Sequence, residues 1–100
     1  MTAAPKPPLR IAAIGLNHPH IVGQTRAMLD AGAELVAFHA EEDDLAAEYA
    51  RVFPQAARVR DKCAILEDRS IALVVSATVP DLRAATAIEV MRHGKDVMVD

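Results

Sequence analysis

Arg10-Ile11-Ala12-Ala13-Ile14-Gly15-Leu16-Asn17-His18-Pro19-His20-Ile21 runs from an apolar, strand-like segment through a glycine into the start of a helical pattern. A continuous aliphatic run is what a strand buried on both faces requires. Gly15 lets the backbone turn where a Cβ would obstruct it. The helix that follows points its free N–H groups and the positive end of its dipole at whatever sits over the turn, so an anion is favoured there. One strand-turn-helix unit thus sets both the expected fold and the expected site.

Outward from this unit the pattern repeats. Ile21, Val22, Thr25, Met28 and Leu29 line one face of a first helix, with Pro19 in its first turn and Gly32 ending it. Glu34 to His39 reads as the second strand. Leu45, Tyr49, Val52 and Phe53 form the buried stripe of a second helix, capped by Asp43 or Asp44 and closed by Pro54. Gln55 to Arg60 predicts a short third strand, and Lys62 to Glu67 two helical turns. Ile71 to Ala77 is a fourth strand. Leu82, Ala85, Ile88 and Met91 recur every three residues along a helix that Gly94 terminates, and Asp96 to Val99 begins a fifth strand. This order predicts an α/β fold, a Rossmann-like doubly wound parallel sheet in a three-layer α/β/α arrangement, with about five strands.

A chain of 100 residues holds one domain. Its composition, 52% hydrophobic with three aromatic residues and no Trp, demands a core of Ala, Val, Ile, Leu and Met. Residues 1–8 hold three prolines and no continuous apolar stretch, so they predict a flexible lead-in to a domain over 9–100, neither a secretory signal nor a membrane span. A net charge of −3 without a basic cluster argues against nucleic acid as a partner. Cys63 is the only cysteine, which excludes an internal disulfide, fits a reducing, cytoplasmic setting, and suggests a small core residue.

Parallel α/β sheets bind ligands outside the carboxyl ends of their strands, so the loops after Gly15, His39, Ala77 and Val99 should converge. Gly15-x-Asn17-x-x-His20 lies where a dinucleotide fingerprint would be, with glycine only at the first of its three positions. Either the loop binds phosphate through side-chain donors or its affinity has weakened. His18 and His20, with Cys63, His39 and His93 at unrelated places, do not make a recognisable metal site, and none is expected. His18 is read as a helix cap, His20 as packing or facing the cleft, His39 as ending a strand on the adenosine side, and His93 as a last-turn residue suited to the dipole. Ser76, Thr78 and Pro80 follow a buried strand, where small groups would let the backbone approach a ribose; the alternative is a plain strand-to-helix turn with Pro80 at the first helical position.

Four segments, Gly15-Leu16-Asn17, Phe38-His39-Ala40-Glu41, Thr78-Val79-Pro80-Asp81-Leu82-Arg83 and Gly94-Lys95-Asp96-Val97-Met98-Val99-Asp100, resemble the glucose–fructose oxidoreductase / inositol dehydrogenase / MocA-like oxidoreductases. The resemblance covers nearly the whole chain from Leu9, and the last two segments in this order and spacing are its specific part. It implies a nicotinamide dinucleotide held across these loops and hydride transfer to or from a hydroxyl carbon of a sugar, polyol or related substrate. Cofactor contacts are then expected at Gly15, Leu16, Asn17, His18, His20, Glu41, Ser76, Thr78, Pro80 and Asp100.

The family's ribose-binding acid falls at Ala40 here, with Glu41 one residue later, and Arg83 stands where many members have histidine. A carboxylate at Glu41 would hold ribose hydroxyls and repel a 2′-phosphate, favouring NAD over NADP; Glu42, Asp43 and Asp44 read equally well as a solvated helix start. Asp100 matches the glutamate of the family's Glu-Lys-Pro motif, so the catalytic lysine would lie just beyond it. Residues 1–100 are then expected to be the inactive amino-terminal part of a longer, homo-oligomeric, cytoplasmic two-domain enzyme. The competing expectation is a non-catalytic module that senses a nucleotide or phosphorylated metabolite, suggested by the altered glycine motif.

Overall fold

The computed structural model describes residues 7–100, in which β1 (Arg10–Ile14), α1 (His20–Asp30), β2 (Glu34–His39), α2 (Asp43–Val52), β3 (Ala57–Arg58), α3 (Cys63–Leu66), β4 (Leu73–Ser76), α4 (Pro80–Arg92) and β5 (Asp96–Val99) follow in chain order. Of the expected lead-in, residues 1–6 lie outside the described residues; Pro7 and Pro8 are exposed and belong to no element. The sheet is wholly parallel, in the order β3-β2-β1-β4-β5. The chain grows the sheet one way from β1 to β3, then crosses back to place β4 on the other side of β1. That reversal is a topological switch point, and it opens a crevice at the carboxyl end of β1.

Alternation along β1 divides the core between two faces. Ile11 and Ala13 join Leu35, Phe38 and Val75 under α1 and α2, whereas Ala12 and Ile14 join Val74 under α3 and α4, against Ile65, Leu66 and Val90. The first face holds every aromatic ring: Phe38 and Tyr49 lie 5.0 Å apart between centroids, and Tyr49 and Phe53 4.9 Å. On the opposite edge, the buried Lys95 ammonium donates to the Asp68 and Ile71 carbonyls at 2.5 and 2.7 Å, tying the start of β5 to the turn before β4.

Tyr49 carries a testable consequence of this packing. Thr25 Oγ1 donates to the Ile21 carbonyl, so the Tyr49 hydroxyl, 2.8 Å away, donates to Thr25. Burial pushes the phenol up to about 12 despite that hydrogen bond. Between about pH 10 and 12 the unfolded phenol ionises first, so folding stability falls with rising pH by up to roughly 2 kcal/mol. Burial pushes Lys95 down, which acts with the opposite sign over the alkaline range, but Lys95 is common to wild type and Tyr49→Phe. The difference between their urea midpoints across that window should therefore report Tyr49 alone. With one Tyr and no Trp in the chain, phenolate absorbance follows the same ionisation directly.

Several expectations are corrected. Cys63 is exposed: it opens the single turn of α3, its N–H held by Asp61 Oδ1, while Ile65 and Leu66 fill the core. Only four residues are helical there, against the two turns expected. Asp43 and Asp44 are the first helical residues of α2 and do not cap it; Glu42 occupies the capping position without a side-chain hydrogen bond to the helix, and Asp43 pairs with Arg58 instead. The recurrence of Leu82, Ala85, Ile88 and Met91 marks a helix, as expected, but not its buried face. A spacing of three falls short of the 3.6-residue turn and drifts around α4, leaving Leu82, Ile88 and Met91 about half exposed while Val90 alone is fully buried.

Candidate functional site

Gly15 sits at the carboxyl end of β1 with φ +84°, a conformation L side chains rarely adopt. It is also pressed against the next loop, since a Cβ there would stand 2.7 Å from Thr78 Cβ. Backbone bonds knit the neighbouring loops around it. The Gly15 N–H donates to the His39 carbonyl, Ala77 N–H to the Gly15 carbonyl, and His18 N–H to the Ala77 carbonyl, all at 3.0–3.1 Å. The ends of β1, β2 and β4 are therefore one rigid rim, and Asp100 N–H, donating to the Ser76 carbonyl, adds the end of β5.

A cleft of about 150 Å3 opens inside this rim, lined by Gly15, Asn17, His39, Ala40, Glu41, Glu42, Lys62, Thr78, Val79, Leu82 and Thr86 among others. Of the residues expected to contact a cofactor, Gly15, Asn17, Glu41 and Thr78 line it. Leu16, His18, His20, Ser76, Pro80 and Asp100 do not. Leu16 is buried in the core beneath α1 and α2, so only its backbone reaches the loop. Ser76 is buried, and its hydroxyl has no protein partner among the described residues. Pro80 occupies the first position of α4, the plain turn geometry.

Side chains close the rim further. Asn17 Nδ2 donates to Glu42 Oε2 at 2.6 Å, bridging the glycine turn to the start of α2. An asparagine where the fingerprint has glycine is thus used as a donor, here to a carboxylate. Lys62 enters from the start of α3, its ammonium 2.7 Å from Glu89, and that hydrogen bond holds its pKa above the usual lysine range. Nothing in the sequence brings Lys62 to this cleft, because the crossover from β3 to β4 alone determines where α3 lies. His39 is the last residue of β2, as expected; it faces the Val59 carbonyl through Nδ1 at 3.1 Å and lines the cleft.

Beyond the cleft, at the end of β5, Asp100 gathers three cationic or potentially cationic groups. His20 Nδ1 lies 2.7 Å from Oδ1, while His18 Nδ1 and Arg83 Nη2 lie 3.4 and 3.5 Å from Oδ2. The His20 hydrogen bond, followed by the charges of His20, His18 and Arg83, holds the Asp100 carboxyl below its ordinary range. His18 Nδ1 accepts the His20 backbone N–H at 3.1 Å, but the capping position of α1 is Pro19 and not His18 as expected. Arg83 Nε also donates to the Thr78 carbonyl, coupling the β4 loop to β5.

No protein-family model matches the chain, and no curated protein does. Solved structures do. An Erwinia carotovora atroseptica SCRI1043 protein provisionally assigned as an oxidoreductase superposes with a TM-score of 0.87 at 34% identity over 91% of this chain. Biliverdin reductase from Synechocystis sp. PCC 6803, solved with biliverdin and NADP+, gives 0.75 at 25% identity over 93%. The myo-inositol dehydrogenase of Lactobacillus casei, solved with NAD(H) and myo-inositol, shares the fold, with a TM-score of 0.77 at 21% identity over 92% of this chain. The chain spans 27–29% of the length of these three proteins. It resembles the nucleotide-binding domain of the glucose–fructose oxidoreductase / inositol dehydrogenase / MocA-type oxidoreductases, in agreement with the sequence motifs.

Proposed function

We propose that the chain is the nicotinamide-dinucleotide-binding part of an oxidoreductase. The observation that carries this reading is Gly15: a left-handed glycine in contact with Thr78, at the one place where the sheet reverses its direction of growth. Such a turn leaves room for a pyrophosphate over the start of the following helix, where backbone N–H groups and the dipole favour an anion. The solved relatives whose names include NAD(H) or NADP+ support the cofactor class.

In this reading the adenosine half lies in the cleft walled by His39, Ala40, Glu41, Val79, Leu82 and Thr86. Glu41, exposed after β2, would accept hydrogen bonds from the ribose hydroxyls and repel a 2′-phosphate, which favours NAD over NADP. The cofactor supplies the hydride chemistry; the chain supplies binding and orientation. A polyol or sugar-like substrate would be met by residues outside this chain, and the full protein would be an NAD-dependent dehydrogenase of the cytoplasm, homo-oligomeric as the resemblance implies. His18, His20 and Asp100 would face the nicotinamide half at the ends of β1 and β5.

Calorimetric titration with NADH and NADPH tests this. Saturable binding is expected, tighter for NADH, with Glu41→Lys narrowing or reversing the preference. Asn17→Trp should weaken both by filling the turn. A folded protein that binds neither dinucleotide would sink the reading and favour a sensor of another phosphorylated metabolite.

A further inference from the structure

We propose that His18, His20 and Asp100 form a binding site for a divalent transition-metal ion of the zinc class. One potential ligand atom from each of the three lies within 4.8 Å of the others. The set is assembled from two distant segments, the turn into α1 and the end of β5, which the Asp100 N–H to Ser76 carbonyl bond and the His18 N–H to Ala77 carbonyl bond fix against β4. Two imidazoles and a carboxylate are a recognised three-protein ligand set for zinc, with water taking the fourth position.

The three side chains already turn their ligand atoms toward one another. His18 Nδ1 accepts the His20 N–H, so in a neutral imidazole it carries a lone pair. Yet that same nitrogen stands 3.4 Å from Asp100 Oδ2, another lone-pair atom. The Nδ1 lone pair is the only one on that nitrogen, so an ion would take it over from the His20 N–H. A cation in this space would take His18 Nδ1 and the Asp100 carboxylate as ligands, and His20 Nδ1, already 2.7 Å from Oδ1, is the third donor. Ligand atoms around a tetrahedral ion at bond lengths of about 2.0–2.2 Å sit roughly 3.3–3.6 Å apart. The ligand atoms stand up to 4.8 Å apart, so an ion requires the His20 to Asp100 pair to open and the wider-spaced atoms to close in. His20 is exposed enough to turn, and Asp100 is the most buried of the three side chains.

Arg83 is the opposing charge, 3.5 Å from Asp100 Oδ2. Its Nε is anchored on the Thr78 carbonyl, so it cannot swing into the ligand space without breaking that bond, and it can remain a neighbour of the carboxylate. A guanidinium at this distance lowers the affinity for a cation, which points to a borderline ion with strong nitrogen preference and away from magnesium or calcium, whose oxygen-rich shells this set does not supply.

The test is titration of the tag-free protein with Co(II), followed by visible d–d absorption, with Zn(II) competition and calorimetry. The background is Cys63→Ser, which removes the exposed thiol as a rival ligand. One equivalent of ion should bind with the intense bands of a four-coordinate centre, and Zn(II) should abolish them. His20→Ala and Asp100→Asn should each weaken binding by about tenfold or more, while His93→Ala, a histidine far along the chain, should leave it unchanged. Absence of saturable binding, or binding equally strong in the His20 and Asp100 variants, would overturn the site. NADH titration of the same samples is a separate readout, since the metal site stands or falls without the dinucleotide reading.

Discussion

Gly15→Ala should destabilise the domain by about 3 kcal/mol or more and abolish dinucleotide binding. Two independent costs add. A non-glycine residue held in the left-handed region costs roughly 1–2 kcal/mol. The new methyl group also meets Thr78 Cβ at 2.7 Å and the Thr78 backbone at 3.1 Å, a clash that forces the β1 and β4 loops apart and costs roughly 1–3 kcal/mol in overpacking. The rim cannot yield quietly, because Gly15 and Ala77 are bonded through the Ala77 N–H and Gly15 is bonded to His39. Urea unfolding measures the first effect and NADH calorimetry the second. Thr78→Gly in the Gly15→Ala background removes the shortest approach but leaves both the crowding against the backbone of residue 78 and the strain at residue 15. The double variant should therefore recover part of the lost stability, and a double-mutant coupling near zero would show that the two loops do not meet as described.

The same glycine shows how much the sequence discloses. A strand-like run ending in Gly15 announces the turn, since few residues besides glycine tolerate that backbone, and the alternation of apolar runs with helical periods announces the parallel sheet. All five strands and four helices lie where these signals place them, within a residue or two at most ends. Less legible is whatever depends on packing between distant segments. Asn17 reads as a possible phosphate donor, but its partner is Glu42, which no spacing rule connects to it. Cys63 looks like a small core residue until the shortness of α3 puts Ile65 and Leu66 inward and leaves the thiol outside. The period-three apolar residues of α4 announce a helix but not its buried face, because that spacing winds around the helix. His18 and His20 lack a third ligand until β5 brings Asp100 to them, eighty residues after His20 in the chain. Local chemistry is thus readable one segment at a time, and the site becomes readable only with the strand order.

Phe38→Ala should cost about 3–5 kcal/mol, the other large effect expected of a single substitution. Phe38 is fully buried on β2, with its ring 5.0 Å from that of Tyr49, which in turn packs at a tilt, 4.9 Å from Phe53. With three aromatic residues in the chain, no other large ring is available to fill the space. The surrounding side chains, Ala13, Ala40 and Ala46 among them, are too small to close it. A domain of this length has a total stability of about 5–15 kcal/mol, so the loss is a large fraction of the whole. Phe38→Leu, which retains more volume, should cost clearly less, and the ordering of the two by urea midpoint checks the cavity argument. The consequence for the site follows from register. Phe38 immediately precedes His39, whose carbonyl receives the Gly15 N–H, and lies three residues before Glu41. Loosening this ring should therefore weaken NADH binding even at temperatures where the variant remains folded, through the end of β2. If binding stayed at the wild-type level in a folded Phe38→Ala protein, the end of β2 would have to be held by the backbone bonds of the rim alone, and the aromatic cluster would be a matter of stability only.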